Sequence, residues 1–247
     1  MRRVLLGLSI LSAAVWINST AIAASKVAPY SAFDSAMPAA RTGPELKAVD
    51  IFKRSSPSIY LIVAAKNDAA MKRGRSVNEG SAVAITPRLA LTNCHIVKGR
   101  KTLVLAQNKE MDLGTVIASD PRTDRCIIEA QKMKLHPISG VRRYGDIKVG
   151  EKVYTIGNPS GLESTLGEGI VSGLRNRQGV RYVQTSAPIS PGSSGGGLFD
   201  ERGNLLGITS FKIEDAENLN FAIAAEDYWS KAGAKKRKSR AKADGDE

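Results

Sequence analysis

Three short stretches hold the residues best suited to chemistry in this chain. Gly192-Ser193-Ser194-Gly195-Gly196-Gly197 sets a serine among glycines. A tight turn can then hold its hydroxyl bare, with neighbouring backbone N–H groups aimed at one point. Read alone, such a run is more often a flexible loop than a nucleophile's turn. Its weight comes from two earlier stretches. Ala90-Leu91-Thr92-Asn93-Cys94-His95-Ile96-Val97 ends a strand-like run at one of only two histidines, and Asp120-Pro121-Arg122-Thr123-Asp124-Arg125-Cys126-Ile127-Ile128 opens another on an acidic residue. A serine hydroxyl is a weak nucleophile until an imidazole takes its proton. The imidazole in turn needs a carboxylate that fixes its tautomer and stabilises its charged form. The order His95, Asp124, Ser194 supplies base, carboxylate and nucleophile, with Asp120 as the rival carboxylate. The competing arrangement, a strand-to-helix serine turn whose partners follow the serine, fails because no histidine follows Ser194.

Around these residues the chain resembles the chymotrypsin-like serine peptidases, and most closely their bacterial HtrA/Deg branch. The matching pieces are Gly80-Ser81-Ala82-Val83, Leu91-Thr92-Asn93-Cys94-His95, Thr123-Asp124, Ile156-Gly157-Asn158-Pro159, Gly169-Ile170-Val171-Ser172, Gln184-Thr185 through Gly196, and Asn220-Phe221-Ala222-Ile223. They run in the family's order across residues 45–226, with 29 residues from His95 to Asp124 and 70 from Asp124 to Ser194. The resemblance implies an all-β fold of two six-stranded antiparallel barrels with the active site at their interface. It also implies peptide-bond hydrolysis through an acyl-enzyme, with the oxyanion held by the N–H groups of Gly192 and Ser194.

The elements that must position these residues can be read along the chain. Met1-Arg2-Arg3, an apolar run over residues 4–17 and the small-x-small Ala21-Ile22-Ala23 read as a signal peptide over 1–23. The run is shorter than the ~20 residues of a spanning helix, so the expected product is exported, periplasmic or secreted, and unanchored. Residues 24–44, rich in Ala, Ser and Pro, read as a flexible lead-in. Helical periodicity follows over 45–53, stopped at Ser55-Ser56-Pro57. Twelve short runs of strand character come next. Six are 58–64, 81–86, 89–92, 102–106, 113–118 and 126–130, and six are 152–157, 168–174, 180–186, 196–199, 205–211 and 220–223. Short strands with Gly, Pro, Asn and Asp between them argue for barrels or a sandwich. The division is a first barrel over 45–130, a connector over 131–146 and a second barrel over 147–230. His136, in the connector, reads as an ordinary loop histidine. Residues 231–247 carry seven basic and three acidic side chains. This tail is expected to be disordered and chiefly solvated; its charge could also bind nucleic acid or an anionic surface, and for an exported chain an anionic envelope surface is favoured over nucleic acid. It is too short for the PDZ domain found there in many HtrA relatives.

Two residues depart from the family pattern. Arg125 stands where an apolar residue is usual. Ser193 stands where the HtrA branch has Asn and trypsin-like zymogens have an activating Asp, so activation by a salt bridge to a new N-terminus is not available. The resemblance places the substrate pocket at Ile189, Ser190, Ile208, Thr209 and Ser210. With no carboxylate there, a small or medium apolar residue before the scissile bond is favoured over Lys or Arg. Cys94 and Cys126, the only cysteines, lie one residue before His95 and two after Asp124. Alternate strand residues share a face, so Cys126 projects to the side of Asp124, and export favours a disulfide over two buried thiols. Two histidines and two cysteines without a cluster predict no metal and no cofactor. The function expected is a serine endopeptidase acting on protein or peptide substrates. The alternative is a catalytically silent binding or chaperone-like module on the same fold.

Overall fold

A computed structural model describes residues 28–29, 36–74, 76–158, 164–212 and 219–229. The stretch read as a signal peptide, residues 24–27 and 30–35 of the expected lead-in, and the basic tail lie outside the described residues. Helix α1 (Ala48–Ser55) starts three residues later than its periodicity predicts and runs two further. Pro57 does not end it abruptly, because a 3₁₀ turn over Ser56–Ser58 absorbs the proline near its own start, where a missing N–H costs nothing.

The first barrel is built from β2 (Ile59–Ala65), β3 (Val77–Ala84), β4 (Leu89–Thr92), β5 (Thr102–Gln107), β6 (Glu110–Asp120) and β7 (Arg125–Ala130). They pair in the order β6-β5-β2-β3-β4-β7, and β6 closes onto β7. A further two-residue strand, β1 (Ala28–Pro29), lies parallel to β6 and was not expected from the sequence. The second barrel comprises β8 (Lys152–Gly157), β9 (Thr165–Arg177), β10 (Val180–Thr185), β11 (Gly197–Asp200), β12 (Leu205–Lys212) and β13 (Asn220–Ala224), closed in the order β10-β13-β12-β11-β8-β9. The fold is thus the expected pair of six-stranded antiparallel barrels.

The largest difference in strand ends is at β3, which begins at Val77, four residues before its expected start; two hairpins lengthen their strands as well. Asn108 and Lys109 join β5 to β6 with φ of 50° and 70°, and Gln178 and Gly179 join β9 to β10 with φ of 53° and 82°. Positive φ at both central residues is the tight turn whose twist matches the flanking strands. Pairing therefore continues right up to it, which lengthens β6 and β9 beyond their apolar centres.

Three cores hold the molecule together. Ile62, Ala82, Ala90, Leu105 and Ile128 fill the first barrel, and Val153, Val171, Val183, Leu198 and Leu206 fill the second. The third core is the seam, where Val83, Leu91 and Ile127 of the first barrel meet Tyr154, Ile156, Phe199, Ile208 and Ile223 of the second, together with Ile51 of α1 and Tyr228. Strand alternation explains the continuous apolar runs. Ile127 faces the seam while Cys126 and Ile128 face the barrel interior, so both faces of β7 are buried. Truncating Ile127 to Ala is expected to cost about 2–5 kcal/mol of stability. Urea unfolding of the two proteins measures it.

Candidate active site

His95 sits in α2 (Cys94–Val97), a single helical turn directly after β4, and Asp124 sits on the turn from β6 to β7. Asp124 is held in the left-handed region at φ 57°. Its carbonyl accepts from Cys94 N–H and Asn93 Nδ2, both at 3.3 Å. The carboxylate then meets His95 twice. Oδ1 accepts the His95 backbone N–H at 2.8 Å, and Oδ2 lies 2.8 Å from the ring Nδ1. An ionised carboxylate only accepts, so Nδ1 carries the hydrogen and the lone pair of a neutral ring is left on Nε2. The imidazole is 51% exposed, open to a reactant.

Cys94 and Cys126 are joined by a disulfide with Cα atoms 4.9 Å apart. It ties the histidine's helical turn to the strand that follows Asp124. Closing a loop across a separation of 32 residues is worth about 3–4 kcal/mol in the chain-entropy picture.

Ser194 comes from the second barrel. Gly195 beside it has φ 85°, and a Cβ there would stand 1.9 Å from Ser81 O, so no other residue fits. Gly195 N–H donates to Thr209 O at 2.7 Å and Thr209 Oγ1 donates to Ser193 O at 2.6 Å, which anchors the serine turn to β12. Ser194 Oγ donates to Ser210 O at 2.9 Å, and Ser210 Oγ donates to Asp124 Oδ2 at 3.1 Å. His95 and Asp124 are therefore in direct contact, and Ser194 is linked to Asp124 through Ser210. Among the described residues the Ser194 hydroxyl is bonded to Ser210 and not to His95.

The rival carboxylate, Asp120, is committed elsewhere. With Arg125 it forms a buried pair at 3.3 Å, the two side chains 7% and 6% exposed. Arg125 Nε also donates to Thr123 Oγ1 at 2.8 Å, and its Nη1 donates to the Asp227 carbonyl of the second barrel's final turn. The departure from an apolar residue at 125 is thus an inter-barrel clamp. Burial alone would raise the Asp120 carboxyl, but the Thr123 hydroxyl and the Arg125 charge outweigh it and hold it below the usual carboxylate value.

The pocket expectations divide. A small cavity of about 60 Å³ beside the serine turn is lined by Thr155, Gly157, Leu166, Pro188, Ser190, Ser193 and Thr209, among others. Ser190 and Thr209 line it, whereas Ile189 and Ile208 are buried and do not. Ile208 belongs to the seam core, and Ser210 stands between Asp124 and Ser194. Sequence spacing locates β12, but only its pairing with β11 and β13 decides which side chains turn inward. Ser81 and Asn158 stand in the sequence only as matching motif residues; Ser81 Oγ donates to Gly192 O of the serine turn at 2.9 Å, and the Asn158 N–H donates to Ser81 Oγ. Among the described residues no three His, Cys, Asp or Glu side chains converge as a metal would require.

Residues 80–208, more than half of the chain, match the trypsin-like peptidase domain, and the chain belongs to that family. It is 36% identical over 197 residues to "Protease Do-like 1, chloroplastic" of Arabidopsis thaliana, covering 73% of this chain and 44% of that protein. It is 36% identical over 125 residues to "Probable periplasmic serine endoprotease DegP-like" of Hahella chejuensis, covering 49% of this chain and 26% of that protein. Its fold is similar to the HtrA-type protease AlgW solved with a tripeptide, at TM-score 0.66 and 28% identity over 74% of this chain and 61% of that one. The chain thus spans less than half the length of these two curated relatives.

Because the folded-state value of Asp120 is depressed, its contribution to stability is fully present above the unfolded carboxylate pKa and is lost as pH falls through the folded value. The stability gap between the natural protein and Asp120→Asn should be widest at neutral pH and shrink below about pH 4. Urea midpoints at pH 7, 4 and 3 test this.

Proposed function

We propose that the chain is an exported serine endopeptidase with Ser194 as nucleophile, His95 as general base then acid, and Asp124 as the orienting carboxylate. The observation that carries the reading is the His95 Nδ1 contact to Asp124 at 2.8 Å, with Ser194 joined to the same carboxylate through Ser210. In the reaction the Ser194 hydroxyl turns from Ser210 O to His95 Nε2 and gives up its proton as its oxygen attacks the substrate carbonyl. The N–H groups of Gly192 and Ser194 hold the resulting oxyanion. The imidazolium, stabilised by Asp124, passes its proton to the leaving amine. A water then repeats the sequence on the acyl-enzyme and releases the carboxylic acid.

The units we assign are a signal peptide over 1–23, a lead-in over 24–44, barrels over 45–130 and 147–230 with a connector over 131–146, and a basic tail over 231–247. A disulfide beside the site suits the oxidising compartment that export implies. The cavity lining of Thr, Ser, Pro and Leu side chains suits a small apolar substrate residue. The second reading, a silent binding module, draws on the Ser194 hydroxyl being engaged by Ser210 O.

Labelling by a fluorophosphonate and cleavage of casein separate the two readings. Ser194→Ala and His95→Ala should each lower turnover by about 10⁴ to 10⁶ without unfolding the chain. A folded Ser194→Ala protein with full activity refutes the assignment. On peptide substrates, Val, Ala or Leu before the scissile bond should be cut faster than Lys or Arg, as a comparison of kcat/KM will reveal.

A further inference from the structure

Ser81 lies on β3 of the first barrel with 0% of its surface exposed, yet its polar groups serve the second barrel. Its backbone N–H donates to Ser194 O at 2.7 Å, and its hydroxyl donates to Gly192 O at 2.9 Å. These are the carbonyls of the two residues whose N–H groups were assigned to the oxyanion. One residue thus grips both ends of the three-residue segment that would form the hole.

The direction of the hydroxyl proton follows from its neighbours. Asn158 presents its backbone N–H to Ser81 Oγ at 2.9 Å and its side-chain Nδ2 at 3.4 Å. Both are donors, so the serine oxygen accepts there and its single hydrogen goes to Gly192 O. Asn158 is fixed in turn, since its Oδ1 accepts from Ser164 N–H at 2.8 Å. The carbonyl of Ser81 is also occupied, accepting from Thr92 Oγ1 at 2.7 Å.

The Gly192–Ser193 peptide plane is held on both edges. Its C=O is bonded to Ser81, and its N–H donates to Ser190 O at 2.9 Å. Gly192 itself is at φ 92° and has no Cβ to restrict it. The Gly192 N–H belongs to the preceding Pro191–Gly192 plane, so Ser81 acts on it through the glycine: release of the carbonyl would free rotation at Gly192, and the angle between the two planes, which sets where the Gly192 N–H points relative to the Ser194 N–H, would no longer be fixed. An oxyanion donor acts only when it already points at the place where charge develops.

We infer that Ser81, supported by Asn158, is a positioning residue that pre-aims the Gly192 and Ser194 N–H groups at the oxyanion. The inference rests on the peptidase reading above. It gives the motif residues Ser81 and Asn158 a joint task that neither barrel performs alone.

The test compares natural protein, Ser81→Ala and Ser81→Cys in the full chain, on a peptide substrate that the natural protein cleaves. Ser81→Ala should lower kcat by about 10- to 100-fold, because misaiming one donor approaches the loss of that donor. KM should stay within about twofold. A peptide boronic acid, whose tetrahedral adduct occupies the oxyanion site, should weaken by a similar factor, while the product peptide acid binds unchanged. Ser81→Cys fills the same place with a weak S–H donor and should fall between the two. It carries the test if Ser81→Ala does not fold. A folded Ser81→Ala with a kcat within about twofold of the natural protein overturns the inference, and where Ser81→Ala does not fold, a folded Ser81→Cys with no loss of kcat does so. So does an equal loss in kcat, KM and product binding, which marks a merely structural role. If the natural protein neither takes up a fluorophosphonate nor cleaves peptide, the peptidase reading itself fails and this inference falls with it.

Discussion

The packing of the two barrels face to face is the constraint on which the rest depends. Each barrel buries its own interior, and a third core of large apolar side chains forms between them. That seam fixes where the β6–β7 turn of the first barrel lies against β12 and the serine turn of the second. Asp124 and Ser210 are 86 positions apart in sequence and 3.1 Å apart in space only because this interface holds. Polar groups buried at such an interface need partners, and several find them across it. Tyr228 OH donates to Thr92 O, Arg125 reaches the Asp227 carbonyl, and Ser81 reaches Gly192 and Ser194. The hydrogen bonds that satisfy the seam are also those that arrange the site.

Local backbone strain is found at the same place as well. Asp124 is a non-glycine residue at positive φ, a conformation that persists only where surrounding structure over-determines it. The surroundings are visible: Asn93 and Cys94 hold its carbonyl, and the disulfide ties Cys94 to the following strand. In return its carboxylate presents one oxygen to the His95 amide and the other to the ring. His95 is thus oriented from both its backbone and its side chain, although its imidazole stands largely open.

Much of the site was legible because it is local. Glycines around Ser194, a histidine ending one apolar run and an acid opening another are patterns of adjacent residues, and each marks a turn at the end of a strand. The cysteines were legible from their places, one residue before His95 and two after Asp124; the strand alternation expected to align Cys126 with Asp124 does not apply, because Asp124 lies on the turn before β7 and Cys126 faces the barrel interior. The pocket was less legible. Ile208 and Ser210 share a strand face by simple alternation, yet one belongs to the seam core and the other bonds the carboxylate. The pairing of β12 is irregular, with register shifts opposite Leu198/Phe199 and between Thr209 and Phe211. No periodicity in the chain announces a bulge. Strand ends at Asn108-Lys109 and Gln178-Gly179 were missed for a related reason, since neither pair is the Asn-Gly or Asp-Gly that flags this turn.

What the amino-acid sequence determined by itself is the inventory and its order: twelve strands in two sets of six, the residues at their ends, and the types able to hold or move a proton. Those features arise from side-chain period and turn chemistry, which act over a few residues. What only the tertiary structure decided is which groups meet. It engaged Asp124 with His95 and Asp120 with Arg125, turned the Ser194 hydroxyl to Ser210, and brought Ser81 of one barrel under the serine turn of the other. Each of these contacts spans two elements whose separation is set by burying a shared apolar face, and that burial is a property of the whole chain.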